Sequence, residues 1–267
     1  MDNDELKKIE STIRELFNDK KVIPQVRMNN ALRYLSKYRS QLISNTLIQE
    51  HGLKVINGPF KDMEFLSSVS EGCYLPKILG IYESELHSLI EAVIESKPDV
   101  ILNIGCAEGY YAVGFKRLLT ETEVYAFDIN PFAQSKCKEL SERNNVVINI
   151  QGEFKIEMMK DFYNKKVFLM CDIEGAEADL FNKDSIELLS KVEICIELHR
   201  YKGKSNIDII PDLFRKSQNV EIVYQNGKDF TVPEIIKNLQ HLDILLSAWE
   251  WRSYPTPWLV AKPIKNV

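Results

Sequence analysis

The residue pattern predicts a doubly wound α/β domain preceded by an N-terminal helical cap and a short β-hairpin. Three observations carry that expectation. Branched apolar runs, Val100–Ile104 foremost, recur between amphipathic segments, as buried parallel strands do when helices cover both faces of a sheet. Small residues, Gly105, Ala107 and Gly109, follow that run at every second position, immediately before a helical pattern starts. Acids, Asp128 and Asp172, close two of the runs, at the strand ends where open α/β sheets bind ligands.

A chain of 267 residues is long enough for one such domain plus an appendage. The cap and hairpin are expected over 1–79 and the ligand-binding domain over 80–267. An apolar content of 45% is that of a soluble globule, and a net charge of −5 argues against a general nucleic-acid or anionic-membrane binder while leaving room for a local basic patch. No apolar run reaches the length of a membrane span, and the polar start Met1-Asp-Asn-Asp-Glu5 is unlike a signal peptide, so a soluble cytoplasmic protein is expected. Cys73, Cys106, Cys137, Cys171 and Cys195 are scattered without a C-x-x-C pair. They read as reduced, mostly buried thiols rather than a disulfide framework or a zinc site.

From the N-terminus, Leu6, Ile9, Ile13, Leu16 and Phe17 share one face of a helix over 3–18. Met28, Ala31, Leu32, Leu35, Tyr38 and Leu42 repeat the pattern after Pro24. These stripes suit a cap or an oligomer surface, and a homodimer is one arrangement they allow. Lys20, Lys21, Arg27, Arg33, Lys37 and Arg39 cluster in the same stretch, which serves either as a solvated face or as a contact for an acidic substrate. Leu53–Leu66 carries β-type residues on both sides of Asn57-Gly58-Pro59, the mark of a hairpin or short antiparallel pair. A connector over 67–80 leads to a helix carrying Leu86, Leu89, Ile90, Val93 and Ile94, ended by Lys97-Pro98.

Beyond the small-residue loop, Tyr111, Ala112, Phe115, Leu118 and Leu119 mark a helix and Glu123–Asp128 the second strand. A helix over 133–143 and a strand over Val146–Ile150 follow, then strands at Lys166–Cys171 and Lys191–His199. The remainder predicts a helix near Ile207–Lys216, a strand at Val220–Tyr224, a helix over Pro233–Leu246 and a last strand at Trp258–Lys262. Before that strand, Trp249-Glu-Trp-Arg-Ser-Tyr254 either packs in the core or lines an acceptor pocket, its rings stacking on a substrate and Arg252 holding an acid.

A loop of small residues ahead of a helix lets backbone approach a nucleotide-like ligand. The dinucleotide fingerprint G-x-G-x-x-G is matched poorly, because its last glycine falls on Tyr110. Gly-Cys-Ala-Glu-Gly instead resembles the G-x-G-x-G loop of Rossmann-like S-adenosylmethionine-dependent methyltransferases, with Ala107 at the middle glycine. Glu108 repels a pyrophosphate but suits a cationic sulfonium. Asp128, about twenty residues after the loop, is placed to accept hydrogen bonds from both ribose hydroxyls, the alternative being a helix N-cap ahead of Pro131. Asp172-Ile-Glu-Gly-Ala-Glu177 is the most specific segment, and it resembles the D-[VI]-E-G-A-E signature of FkbM-type methyltransferases. Over about 80–263, with Ile196-Glu-Leu-His199 and Pro257-Trp-Leu-Val-Ala261 included, the chain is similar to that family.

The resemblance implies a seven-stranded Rossmann-like methyltransferase sheet and transfer of a methyl group from S-adenosylmethionine to a hydroxyl of a sugar or small natural-product-like acceptor. It implies cofactor contacts at Asn103, Gly105, Cys106, Ala107, Glu108, Gly109 and Tyr110 for the methionine end, at Asp128 and Ile129 for the ribose, near Glu153 for the adenine, and at Asp172. Asn103 stands where many related enzymes carry an acid. Read physically, Asp172 ends a parallel strand, while Glu174 and Glu177, one helical turn apart, share a face and Glu174 meets the acceptor, unless the segment is merely an acid-rich helix start complementing the macrodipole. Glu197 and His199 face one side of the next strand, bringing Glu197 toward the acceptor with Arg252. Asp172 or His199 is then the candidate catalytic base for the acceptor hydroxyl; alternatively Asp172, Glu197 and His199 hold a divalent cation that acidifies it. Two other classes share parts of this pattern, a nicotinamide-dependent oxidoreductase and a catalytically silent nucleoside-binding interaction protein.

Overall fold

A computed structural model describes residues 3–70, 72–201, 204–225, 230–254 and 256–264. Val100–Ile104 forms β1, buried along its whole length. It is flanked by parallel partners β2 (Glu123–Phe127) and β4 (Val167–Cys171), which place Phe127 and Cys171 both level with Ile104. With β3 (Asn149–Gln151), β5 (Glu193–Glu197), β6 (Gln218–Val223) and β7 (Trp258–Pro263) the sheet has seven strands, ordered β3-β2-β1-β4-β5-β7-β6. Within this sheet β7 alone runs opposite to the other six strands. The order reverses beside β1, and the crevice between β1 and β4 is therefore the topological switch point. The α/β class and the seven-stranded sheet are as expected.

Helices α1 (Asn3–Asn18) and α2 (Pro24–His51) form an antiparallel pair, and α2 runs about two and a half turns past the last residue of the expected stripe because Ile43, Ser44 and Leu47 bury on it. The connector contains a short buried helix, α3 (Leu75–Leu79), ahead of α4 (His87–Ser96). The helices α5 (Tyr110–Leu118) and α6 (Pro131–Arg143) then follow β1 and β2. Short turns α7 (Glu177–Leu180), α8 (Ile186–Leu189) and α9 (Ile210–Phe214) and the helix α10 (His241–Ala248) complete the set.

Several expected elements come out shorter, the helix near 207–216 reducing to α9 and the strand over 191–199 to β5 among them. The third strand begins at Asn149 because Asn145, in the left-handed region at φ 53°, turns the chain out of α6. The helix expected over 233–246 is broken into a 3-10 turn at Glu234–Ile236 and α10, with Ile236 dropping into a satellite core with Ile43, Leu47, Leu75 and Leu79. The hairpin at 53–66 reduces to one bridge, Lys54 with Glu64, supported by Val55 N–H to Met63 O at 2.9 Å and Phe65 N–H to Leu53 O at 2.8 Å.

The division at 79/80 does not separate two cores. Val55, Phe60, Met63, Phe65, Leu66 and Ile78 belong to the same apolar cluster as Tyr110, Tyr111, Phe115 and Trp258. The Phe60 ring meets Tyr110, Tyr111 and Phe115 edge-on and lies where a Cβ on Gly114 would sit. Aromatic contacts of this geometry add to the area they bury. A second cluster fills the opposite face of the sheet through Leu102, Phe127, Phe154, Leu169, Phe181 and Phe214. All five cysteines are buried and unpaired.

Phe60→Ala is expected to cost about 3–5 kcal/mol, since the site is walled by rings that cannot collapse inward. Urea unfolding followed by fluorescence should show one transition at lower midpoint; a separate early transition for the N-terminal part would contradict a shared core.

Candidate active site

The site begins where β1 ends. Gly105 N–H and Cys106 N–H both donate to Phe127 O, at 2.8 and 2.9 Å, and Asp172 N–H donates to Ile104 O at 2.9 Å, tying three strand ends together. Gly105, at φ 75°, is pressed so close to β4 that a Cβ would lie 1.6 Å from Asp172 O. Ala107 takes the left-handed region at φ 47°, which glycine adopts more readily and which accounts for glycine at this place in related loops. Asp128 stands on the opposite wall: its Oδ2 accepts from Ala107 N–H at 2.9 Å and its Oδ1 from Asn130 N–H at 2.8 Å. The N-cap of α6 is Asn130, not Asp128. Each Asp128 oxygen keeps a further lone pair for a ligand.

Two cavities meet at this edge. The first, of about 680 Å³, is walled by Gly105, Ala107, Asp128, Ile129, Glu153 and Asp172, and also by Phe154, Tyr82 and Asp179, for which sequence offered no signal. The second, of about 430 Å³, is walled by Asp172, Glu174, Glu197, His199, Lys37 and the segment Glu250–Tyr254 with Thr256. Asp172, Glu174, Tyr82 and Gly72 line both.

Several expected contacts lie behind the loop. Asn103 is buried within the sheet and its Oδ1 has no hydrogen-bond partner. The Cys106 thiol lies against Cys137, whose sulfur also backs Gly109. Tyr110 sits edge-on among Phe60, Phe65, Tyr82 and Tyr111. Glu108 turns inward, fully buried, where it binds the ammonium of Lys77 and accepts from Ser70 Oγ at 3.0 Å. Its charge is thereby compensated inside the protein and does not face the first cavity. The remaining wall of that cavity carries Asp128, Glu153, Asp172, Glu174 and Asp179, while its one cation among the described residues, Lys77, is held by Glu108.

Glu174 and Glu177 do not share a helical face. Glu174 is in the left-handed region at φ 55° with its side chain 74% exposed, whereas Glu177 is fully buried at the start of α7. Glu177 Oε1 accepts from His199 Nδ1 at 2.9 Å and from Gly175 N–H at 3.1 Å, and its Oε2 from Asn206 Nδ2 at 2.6 Å. A carboxylate only accepts here, so Nδ1 carries the proton and Nε2 is turned toward three more acids. These are Asp172 at 3.9 Å, Glu174 at 3.4 Å and Glu197 at 3.4 Å. Burial lowers the basicity of His199, but the Glu177 bond and the charges of Asp172, Glu177 and Glu174 outweigh it and raise its pKa. Burial likewise pushes Glu177 up, and His199 with the backbone amides holds it below the ordinary range. For Asp172 burial prevails: with Glu83 and Glu174 adding to it, the carboxyl is lifted to about 7 against the pull of His199 and Arg252.

Arg252 is committed within the protein. Its guanidinium binds Glu197, Glu83 at 2.6 Å and Glu250 at 3.0 Å, and Glu197 also accepts from Thr256 Oγ at 2.6 Å. Arg252 and Glu197 thus form a wall of the second cavity rather than open hands within it. The expected cation set changes for the same reason: Asp172, Glu174 and His199, not Glu197, each offer one ligand atom within 4.8 Å of one another. Trp251, at φ 64°, has its carbonyl held by Arg33 at 2.6 Å and its ring under the Lys37 ammonium at 4.3 Å, so α2 fixes the segment that closes this cavity.

No family model matches the chain, and no curated protein matches it. Among solved structures it is similar to an O-methyltransferase from Bacillus cereus in complex with SAH, at 15% identity over 68% of this chain and 81% of that one, with a TM-score of 0.45. It is similar to precorrin-6y C5,15-methyltransferase from Geobacter metallireducens, at 12% identity over 67% and 89%, TM-score 0.42. A tRNA (uracil-54, C5)-methyltransferase from Pyrococcus abyssi in complex with S-adenosyl-L-homocysteine is matched at 16% identity over 69% of this chain and 38% of that one, TM-score 0.42. Likenesses of this degree decide nothing about activity, which the residues of the two cavities have to decide.

The Glu177–His199 pair has a pH signature. The Glu177 contribution is present above the unfolded carboxyl value, about 4.5, and is lost as pH falls through its depressed value. The His199 contribution is present below the unfolded value, about 6.5, and is lost as pH rises through its raised value. Thermal midpoints should therefore be highest between those two unfolded values. Glu177→Gln is expected to cost about 1–3 kcal/mol near neutral pH or just below and to flatten the alkaline decline; parallel wild-type and variant curves would refute the coupling.

Proposed function

We propose that this chain is an S-adenosylmethionine-dependent methyltransferase of the FkbM type, moving the methyl group to a hydroxyl of a sugar or small natural-product-like acceptor. The observation that carries this reading is that Asp172, a carboxylate whose pKa is lifted to about 7, lines both cavities where they meet. The first cavity fits the nucleoside. Asp128 has free lone pairs for ribose hydroxyls, Glu153 and Phe154 flank the far end for the adenine, and Gly105 and Ala107 line the wall along which the methionine end would lie. Five acids on that wall favour a cationic ligand, and a dinucleotide pyrophosphate finds no uncompensated cation there among the described residues. That weighs against the nicotinamide-dependent alternative.

When bound, S-adenosylmethionine supplies a methyl group on a cationic sulfur. The protein contributes position and proton removal. Asp172, common to both cavities, accepts the proton of an acceptor hydroxyl held in the second. A base of this strength is poised near neutral pH, where it exists in part as the carboxylate yet still binds a proton firmly. His199, fixed by Glu177, balances the charge on Asp172 across 3.9 Å and stops it rising further. Trp251 and Tyr254 offer ring faces to a sugar, and Glu174 an acceptor for its other hydroxyls.

Titration calorimetry with S-adenosylmethionine, S-adenosylhomocysteine and NAD tests the cofactor. Heat with the first two and none with NAD is expected, and silence with the first two would discard the reading. Asp128→Asn should weaken cofactor binding by roughly tenfold to a hundredfold through loss of a charged acceptor.

Methylation of a surveyed panel of polyols and natural-product alcohols should rise with pH through about 7. Asp172→Asn should lower kcat by roughly 10²–10⁴-fold, far more than it weakens cofactor binding. Chelator should leave turnover unchanged; loss restored by magnesium would transfer hydroxyl activation to a cation on Asp172, Glu174 and His199.

A further inference from the structure

We infer that the tip of the α1–α2 pair docks this protein on an anionic lipid surface. Residues 20–49 hold six cations, Lys20, Lys21, Arg27, Arg33, Lys37 and Arg39, and no acid, in a chain whose 39 acids outnumber its 34 bases; at the tip itself Arg14, Lys20, Lys21 and Arg27 stand against Glu15 and Asp19. Arg39 is bound to Asp243 and Arg33 to the carbonyls of Trp251 and Arg252, so these two serve the fold. Lys20, Lys21 and Arg27 have no carboxylate partner among the described residues; Arg27 donates only to Phe17 O at 2.7 Å. They surround the turn between the helices.

The same turn exposes large apolar side chains that packing does not use. Ile23 is 65% exposed, Met28 60% and Leu32 65%, with Phe17 and Leu35 also exposed. Met28, Leu32 and Leu35 recur four and three residues apart and form one outward stripe on α2, distinct from the Ile43–Leu47 stripe that enters the core. Apolar side chains ringed by lysine and arginine on a helix end match the two attractions of an acidic bilayer: insertion of the former at the acyl boundary and Coulomb attraction of the latter to headgroups. A second copy of the chain answers the aliphatic stripe, but its own tip offers only Glu15 and Asp19 against Arg14, Lys20, Lys21 and Arg27, a poorer match for the charge than an anionic headgroup layer. Nucleic acid answers the charge but not the aliphatic stripe. The inference is independent of the methyltransferase reading and concerns adhesion to a surface, not a membrane span; no described helix is long and apolar enough for a span.

Vesicle flotation with phosphatidylcholine alone, and with phosphatidylcholine plus phosphatidylglycerol, tests it on the full chain. Retention is expected only on the mixed vesicles and should fall steeply with salt. Lys20→Glu/Lys21→Glu should weaken retention at least about twentyfold, and Met28→Ser/Leu32→Ser at least about fivefold, with thermal midpoints unchanged. No retention on mixed vesicles, or retention indifferent to the lysine reversals, overturns the proposal. So does a concentration-dependent dimer, seen by light scattering, that Met28→Ser/Leu32→Ser dissociates while vesicle binding persists.

Discussion

The contact between Gly105 and the carbonyl of Asp172 sets the geometry of the whole strand edge. Two parallel strands can bring their ends this close only if one chain lacks a Cβ at the crossing, and the loop after β1 must then turn through left-handed backbone at Gly105, Ala107 and Gly109 to enter α5. That turn delivers the Ala107 amide to Asp128 and holds Asp172 at the mouth of both cavities. The strand order that reverses at β1 supplies the crevice; the missing side chain keeps it at working width.

Around this edge the protein buries an unusual number of acids and balances each differently. Lys77 neutralises Glu108, and Arg252 serves Glu83, Glu197 and Glu250 at once. Glu250 is still raised well above its ordinary range, by burial first and by the charges of Glu83 and Glu85 after it. Ion groups of this kind contribute little net stability compared with an apolar filling, but removing one member leaves the rest uncompensated. Their value here lies in fixing the segment 250–256 against β5 and the chain at Glu83, which closes the second cavity. Asp172 owes its elevated pKa first to burial, with the charges of Glu83 and Glu174 adding to it and His199 and Arg252 opposing.

Much of this was legible in the chain because it follows from local patterns. Branched runs gave β1, β2 and β4, proline and lysine ended α4, and the acids at 128 and 172 fell at strand ends as read. Spacing could not show side-chain direction within the loop. Gly105 and Ala107 reach the cavity, whereas Cys106, Glu108 and Tyr110, their immediate neighbours, turn into the core because the backbone reverses there. The partners of Glu177, Arg252 and Glu108 lie 22, 55 or 169, and 31 residues away, distances over which periodicity carries no information. Within the stretch read as a hairpin, 53–66, Val55, Phe60, Met63, Phe65 and Leu66 join the cluster that holds Tyr110, Tyr111 and Phe115 of α5, partners that spacing does not show.

The two cavities share only a few residues, and their other walls come from different parts of the chain. Lys37 and the segment Glu250–Tyr254 bound the second cavity and have no place in the first, while Asp128, Glu153 and Phe154 bound the first alone. Substitutions on α2 and in that late segment can therefore reshape what enters one chamber while the other stays intact.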